Sequence, residues 1–223
     1  MIPLRDSQPS RTVPAVTAMI IAINVAVFLF EVSLDEFSRN HFVHAYGMTP
    51  ETFRWQTLFT SMFLHAGWMH LIGNMWFLWI FGDNVEDILG KWRYALFYVA
   101  SGAAAAFVHL LANFDSRVPT VGASGAIAGV MGAYLLKFPH STIKTLIFIV
   151  VFVQVVEVPA FWMLVYWLAL QVLSGVGELG RNAVNEGGVA WFAHVGGFLA
   201  GMALISVFRT MPRYRRYPEY HWN

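Results

Sequence analysis

Four polar residues stand in stretches that otherwise carry almost no charge: His70, Asn74, Ser124 and His194. A serine and a histidine are enough for covalent catalysis. The imidazole takes the hydroxyl proton, the oxygen attacks a carbonyl, and the proton later passes to the leaving amine. The tetrahedral oxyanion formed on the way needs hydrogen-bond donors, and His70, Asn74 and the backbone N–H of Ser124 are of the right type. Ser124 near a helix N-terminus also gains from the positive end of the helix dipole. His70 and Asn74, four residues apart, share one face of a helix. Taken singly, each has a plainer role: Ser124 in a small-residue stripe, Asn74 bonding between helices, His194 packed as a core histidine. Their joint placement is what points to chemistry. His65 reads as a brace for the segment before His70. The two histidines are five apart, about 140° round a helix, which argues against a shared metal, and no HExxH or Cys/His cluster occurs.

The elements that position these residues follow from composition. Of 223 residues, 57% are hydrophobic and 12% charged, against about 25% charged in a typical globular domain. Mean hydropathy is +0.56, and glycine (18) and tryptophan (9) are plentiful, as in membrane helices and their interfacial belts. A net charge of +1 gives no electrostatic basis for nucleic-acid binding. The absence of cysteine excludes disulfide and thiolate chemistry. These features describe an integral multi-pass membrane protein.

A crossing helix needs about 20 mostly apolar residues, and candidates lie at 13–32, 64–82, 93–112, 121–137, 159–177 and 187–208. No small-x-small cleavage site follows the first run, so it reads as an uncleaved first span. Segment 143–158 is apolar but short and rich in β-branched residues. Charge decides its status. With six spans and the N-terminus inside, the inner segments hold Arg5, Arg11, Lys91, Arg93, Lys137, Lys144, Arg209, Arg213, Arg215 and Arg216. The outer ones hold only Arg39, Arg54, Arg117 and Arg181. That asymmetry is the positive-inside pattern. A seventh span at 143–158 would put the basic tail outside, so this segment is expected to be interfacial or packed on the bundle. The expected organisation is an all-α membrane protein: a leader at 1–12, a six-span bundle at 13–208 and a basic tail at 209–223. Both ends are cytoplasmic, and the plasma membrane of a prokaryote is the expected compartment. The long outer connection, 33–63, holds Phe53, Trp55, Phe59 and Phe63, and is expected to lie partly in the membrane interface.

Spans two, four and six all start on the outside, which brings His70, Asn74, Ser124 and His194 to similar depth in the outer half of the bilayer. Intramembrane polar residues are costly and therefore functional candidates. Gly122, Gly125, Gly129 and Gly132 form one stripe along span four, and His194, Gly197 and Gly201 one along span six. Small stripes let membrane helices approach closely. If the stripes face each other, Ser124 is pressed against His194, with Ala128 keeping the approach open. At Gly201, alanine is expected to be mild and valine severe. Span six contains no carboxylate, Glu186 being only at its edge, so a dyad is expected, with His194 held by packing.

At these residues the chain resembles the rhomboid intramembrane serine proteases, over about residues 14 to 208. The span-two motif reads HAGWMHLIGNM, the GxSG motif is Gly122-Ala123-Ser124-Gly125, and the span-six AHxxGxxxG motif reads AHVGGFLAG. Gly82, Glu86 and Gly90 match the family's GxxxExxxG turn, which implies a structural carboxylate at the inner end of the helix. The resemblance implies a six-helix bundle that cleaves peptide bonds in or near transmembrane segments of membrane-protein substrates. Ser124 would be the nucleophile, His194 the base, and His70 and Asn74 the oxyanion donors, with no cofactor or metal. Two positions depart from it. The family's Trp-Arg pair in the first outer loop is Trp55-Gln56 here, and Ala128 stands where some members place an aromatic ring on the histidine. Two alternatives are a catalytically inactive rhomboid-like module that binds membrane clients and a small transporter. All four candidate residues being present opposes the first, and the lack of an internal repeat opposes the second.

Overall fold

The computed structural model describes residues 2–149, 152–179 and 190–211. Glu186, Arg181, the start of the expected sixth span at 187–189 and the basic residues Arg213, Arg215 and Arg216 lie outside the described residues. The described part is mostly helical. In chain order it comprises β1 (Ile2–Asp6), α1 (Ala15–Ser33), α2 (Glu36–Tyr46), α3 (Thr57–Thr60), α4 (Trp68–Leu89), α5 (Lys91–Ala112), α6 (Ser124–Lys137), β2 (Thr142–Ile149), β3 (Phe152–Pro159), α7 (Ala160–Leu179) and α8 (Trp191–Val207). By length and composition, three of these helices can cross a membrane: Ala15–Ser33, Lys91–Ala112 and Ala160–Gly177.

The helix at the centre is α6, which packs against α4, α5, α7 and α8. Every residue from Gly125 to Leu135 is buried. A helix apolar all round belongs in the interior of a bundle. Its 14 residues, about 1.5 Å each, make it shorter than the expected 121–137, because the chain before Ser124 is spent on the turn that shapes the site.

The second expected span, 64–82, is observed as α4 over 68–89. Hydropathy places its end too early because Asp83, Glu86 and Asp87 interrupt the apolar run. Those acids are absorbed by partners instead. Glu86 is 1% exposed and caps α1: its Oε1 accepts the Val16 N–H at 3.0 Å, and its Oε2 accepts the Thr17 N–H and hydroxyl at 2.8 Å each. The Thr12 N–H and hydroxyl both donate to Asp87. Gly90 then turns the chain into α5 with φ of 75°, a conformation that favours glycine. Gly82 lets α1 and α5 come close, since a Cβ there would meet the Tyr94 hydroxyl at 2.7 Å and Thr17 at 3.0 Å.

The all-α expectation needs one correction. Segment 143–158, expected to be interfacial or packed on the bundle, forms strands: β2 and β3 pair antiparallel from Thr142↔Pro159 to Ile149↔Phe152, and β1 pairs with β2 from Ile2↔Leu146 to Asp6↔Ile143. The β-branched content of this segment favours the pleated conformation over a helix. The sheet is fastened to the bundle through Asp6, whose Oδ2 accepts from the Tyr134 hydroxyl at 2.6 Å and Asn84 Nδ2 at 2.9 Å. Trp76 Nε1 donates to the Pro3 carbonyl at 2.6 Å.

The connection 33–63 is built rather than loose. Asp35 caps α2 by accepting the Ser38 N–H. Arg54 Nη2 donates to the carbonyls of His44 and Ala45 at 2.9 and 2.6 Å. Arg54 thereby ties down this loop one residue before Trp55, in a chain whose Trp55 is followed by Gln56.

Candidate active site

Ser124 opens α6, and no side chain caps that helix. The first-turn N–H groups of a helix have no intrahelical acceptor, so donors remain beside the serine. The residue two before it, Gly122, has φ of 126°. A Cβ at Gly122 would stand 2.7 Å from His70 Cε1 and Nε2 and 3.6 Å from Asn74 Nδ2. Glycine here therefore serves two needs, a left-handed backbone and close approach of the GxSG turn to α4.

The other side of Ser124 is set by α8. A Cβ at Gly197 would strike the Gly125 carbonyl, and one at Gly201 the Gly129 carbonyl. The two glycine stripes do face each other, backbone on backbone. The consequence is a short contact between the helices: Ser124 Oγ lies 2.8 Å from His194 Nε2. His194 is 8% exposed, while Ser124 is half-buried.

His194 is not oriented by packing alone, as the sequence led us to expect. Gln171 of α7, itself buried, places Oε1 2.7 Å from His194 Nδ1. The rings of Trp167 and Trp191 flank the imidazole at 5.7 and 6.3 Å between centroids. Gln171 was missed, although the rule that singled out the other four applies to it: a polar amide inside an apolar span.

His70 and Asn74 lie on the first two turns of α4, facing the turn that carries Ser124. Asn74 Nδ2 is buried and has no hydrogen-bond partner among the described residues. Native buried donors are seldom left this way, and this one borders the GxSG turn. His65 is 1% exposed; its backbone N–H donates to Glu31 Oε2 at 3.1 Å, and its ring, whose nitrogens have no hydrogen-bond partner among the described residues, lies 5.2 Å from that of His70. The structure thus brings together Ser124 and His194 in direct contact, and His70 and Asn74 beside them. An arrangement of hydroxyl, imidazole and free N–H donors of this kind is suited to acyl transfer.

The Rhomboid domain profile matches residues 52–210. The chain is 32% identical over 157 residues to RHOMBOID-like protein 1 of Arabidopsis thaliana, an alignment covering 70% of this chain and 35% of the relative. It is 30% identical over 203 residues to Rhomboid protease GluP of Bacillus subtilis, covering 86% of this chain and 35% of the relative. Rhomboid protein 1, mitochondrial, of Saccharomyces cerevisiae is 31% identical over 146 residues, 64% of this chain and 38% of the relative. The chain therefore spans well under half the length of these relatives. The matched segment runs from the loop before α3 through α8 and contains all four candidate residues, so the chain belongs to the rhomboid family, whose members are embedded in membranes and include serine proteases.

Proposed function

We propose that this chain is an intramembrane serine endopeptidase that cleaves transmembrane protein substrates at or near the outer face of the bilayer. In this reading α1, α4, α5, α6, α7 and α8 are six crossings, and both ends of the chain are on the cytoplasmic side of a prokaryotic plasma membrane. The ten-to-four partition of basic residues supports that orientation. The pairing of β1 with β2 also supports it, because both strands then lie on one side. The observation that carries the reading is the 2.8 Å contact between Ser124 Oγ and His194 Nε2, beside an Asn74 Nδ2 that has no partner among the described residues.

The chemistry follows from those atoms. The Ser124 hydroxyl gives its proton to His194 Nε2 as Oγ bonds to the scissile carbonyl carbon. The carbonyl oxygen becomes an oxyanion, received by Asn74 Nδ2, His70 and the backbone N–H of Ser124. The C–N bond then breaks, and the proton on Nε2 goes to the departing amine. Water attacks the resulting ester, giving its proton to Nε2, and Nε2 returns that proton to Ser124 Oγ as the ester C–O bond breaks and the acid leaves. Water must therefore reach Ser124, and irregular backbone at such depth is tolerated where it lines a polar cavity.

A fluorophosphonate probe tests this reading on the purified chain in detergent. Wild-type protein should be labelled covalently at Ser124, and Ser124→Ala should be inert. An unlabelled wild type that still captures membrane clients would favour the inactive binding module instead.

A further inference from the structure

Gln171 has no place in a two-residue account of the site, yet it makes the tightest contact to His194. A neutral imidazole carries one N–H and one lone pair, and its neighbours decide which nitrogen has which. Gln171 could in principle offer either its carbonyl or its NH2. Its own backbone settles the choice: Nε2 donates to the Trp167 carbonyl one turn earlier at 3.3 Å. That leaves Oε1, a pure acceptor, facing Nδ1 at 2.7 Å, the short end of the N–H···O range.

We propose that Gln171 is a positioning residue for the reaction above. Its side-chain carbonyl holds the proton on His194 Nδ1, so that the Nε2 lone pair is aimed at the Ser124 hydroxyl. The proposal rests on the serine-protease reading of the site. No proton passes to the amide at any step. Nδ1–H stays bonded to Oε1 while Nε2 gains and loses the serine proton, and the carbonyl dipole stabilises the imidazolium in between. The alternative tautomer would set an N–H on Nε2 against the serine and leave it unable to accept a proton.

The choice of an amide has a physical reason. Gln171 and His194 are 7% and 8% exposed, and α7 turns Leu170, Val172 and Leu173 outward to the surroundings of the bundle. An ionised carboxylate in such a place carries a large desolvation cost. A glutamine supplies an acceptor oxygen without a charge. It also fills the role left open by Ala128, which is fully buried one turn below Ser124 and has no ring to lay on the histidine.

The test compares Gln171→Met, which keeps length and loses the carbonyl, with Gln171→Glu, which keeps an acceptor. Probe labelling at Ser124, kcat and KM on a membrane-protein reporter, and thermal unfolding are measured on the full chain in detergent. Gln171→Met should lose about 10- to 100-fold in labelling rate and kcat, the scale of a misplaced reacting pair, with KM and unfolding temperature close to wild type. Gln171→Glu, which restores the acceptor at a cost in unfolding temperature, should be labelled faster than Gln171→Met. Labelling of Gln171→Met at the wild-type rate would overturn the proposal. Should that variant fail to fold, nitrogen-15 spectra of histidine in the wild type decide, with His194→Ala supplying the assignment. A proton on His194 Nδ1 supports the proposal and a proton on Nε2 overturns it. A wild type with Nδ1 protonated but no labelling would leave the hydrogen bond standing and remove the protease reading.

Discussion

The two ends of the α4–α6–α8 bundle treat polar groups in opposite ways. At the inner end, both oxygens of Glu86 are taken up by the first turn of α1, and Asp6 accepts from Tyr134 and Asn84. These acids are spent on joining elements. At the end proposed to be outer, Asn74 Nδ2 has no partner among the described residues, and no side chain caps the first turn of α6. There the structure leaves donors free beside a hydroxyl already bonded to an imidazole. The lesson is that a buried polar group reads differently once its partners and its place are counted: a fully partnered one fastens, and an unpartnered donor beside a hydroxyl–imidazole pair is placed to meet a reacting group.

Variants at the two ends should therefore fail in different ways. The largest loss is expected for His194→Ala, which removes the base: cleavage should vanish while the thermal unfolding temperature stays near that of the wild type. Persistent turnover in that variant would erase the distinction between the ends. Asn74→Ala comes next, with about a 10- to 1000-fold fall in kcat and KM held, as for one oxyanion donor. Because Asn74 Nδ2 has no partner to lose among the described residues, this change should cost little stability. A raised KM with intact kcat would make Asn74 a binding residue.

The glycine contact joins the two ends. The sequence alone makes alanine at 201 tolerable, but the Cβ of Gly201→Ala would strike the Gly129 carbonyl and Cα. Alanine is therefore enough to part α6 from α8. Gly201→Ala should lower probe labelling by about 100-fold, the effect of roughly 1 Å at a reacting pair, and cost about 1–3 kcal/mol through overpacking. Leu199, 53% exposed two residues earlier, should accept alanine with little change. Equal tolerance at 199 and 201 in labelling and thermal unfolding would contradict the backbone contact.

Inner-end variants should lose stability and keep activity per folded molecule. Thr17→Val deletes the hydroxyl bond to Glu86, which is worth about 1.5–3 kcal/mol for a charged acceptor. Urea or thermal unfolding beside active-site titration separates the two readouts. The smallest effect concerns pH. Burial pushes the Asp6 carboxyl from its ordinary 3.8 up to about 7, with the Tyr134 hydroxyl opposing. A carboxyl raised on folding binds more protons in the native state than in the unfolded one. Its contribution to stability is then complete below about 4 and is lost as pH rises through about 7. The unfolding temperature should fall between pH 5 and pH 8, and Asp6→Asn should flatten that slope. A slope unchanged by Asp6→Asn would show that other groups carry it.

How much of this was legible in the sequence depended on the range of the interaction. Ser124, His194 and the glycine stripes announce themselves because their types and helical spacing are local. The helices of the six expected spans were placed to within a few residues except α4, where acids satisfied by α1 and by the leader look like a helix end, while α2 and α3 lie unforeseen inside the expected connection 33–63. The place of β1 in the sheet was hidden because it finds its partner β2 some 140 residues away, and strand pairing at that distance leaves no periodic trace; the β2–β3 pair is local, and its β-branched content was the signal for it. Gln171 was hidden because its role is defined by a contact from α7 to α8, although a polar amide in an apolar span was signal enough to look for one.

The most direct test is cleavage of a single-span reporter in proteoliposomes, with both products identified by mass spectrometry. The wild-type chain should cut at one bond in or near the outer end of the reporter's transmembrane segment, and Ser124→Ala should release neither product. Cleavage that persists in Ser124→Ala, or products cut only in the reporter's inner soluble region, would contradict a site built from Ser124 and His194 at the outer end of the bundle.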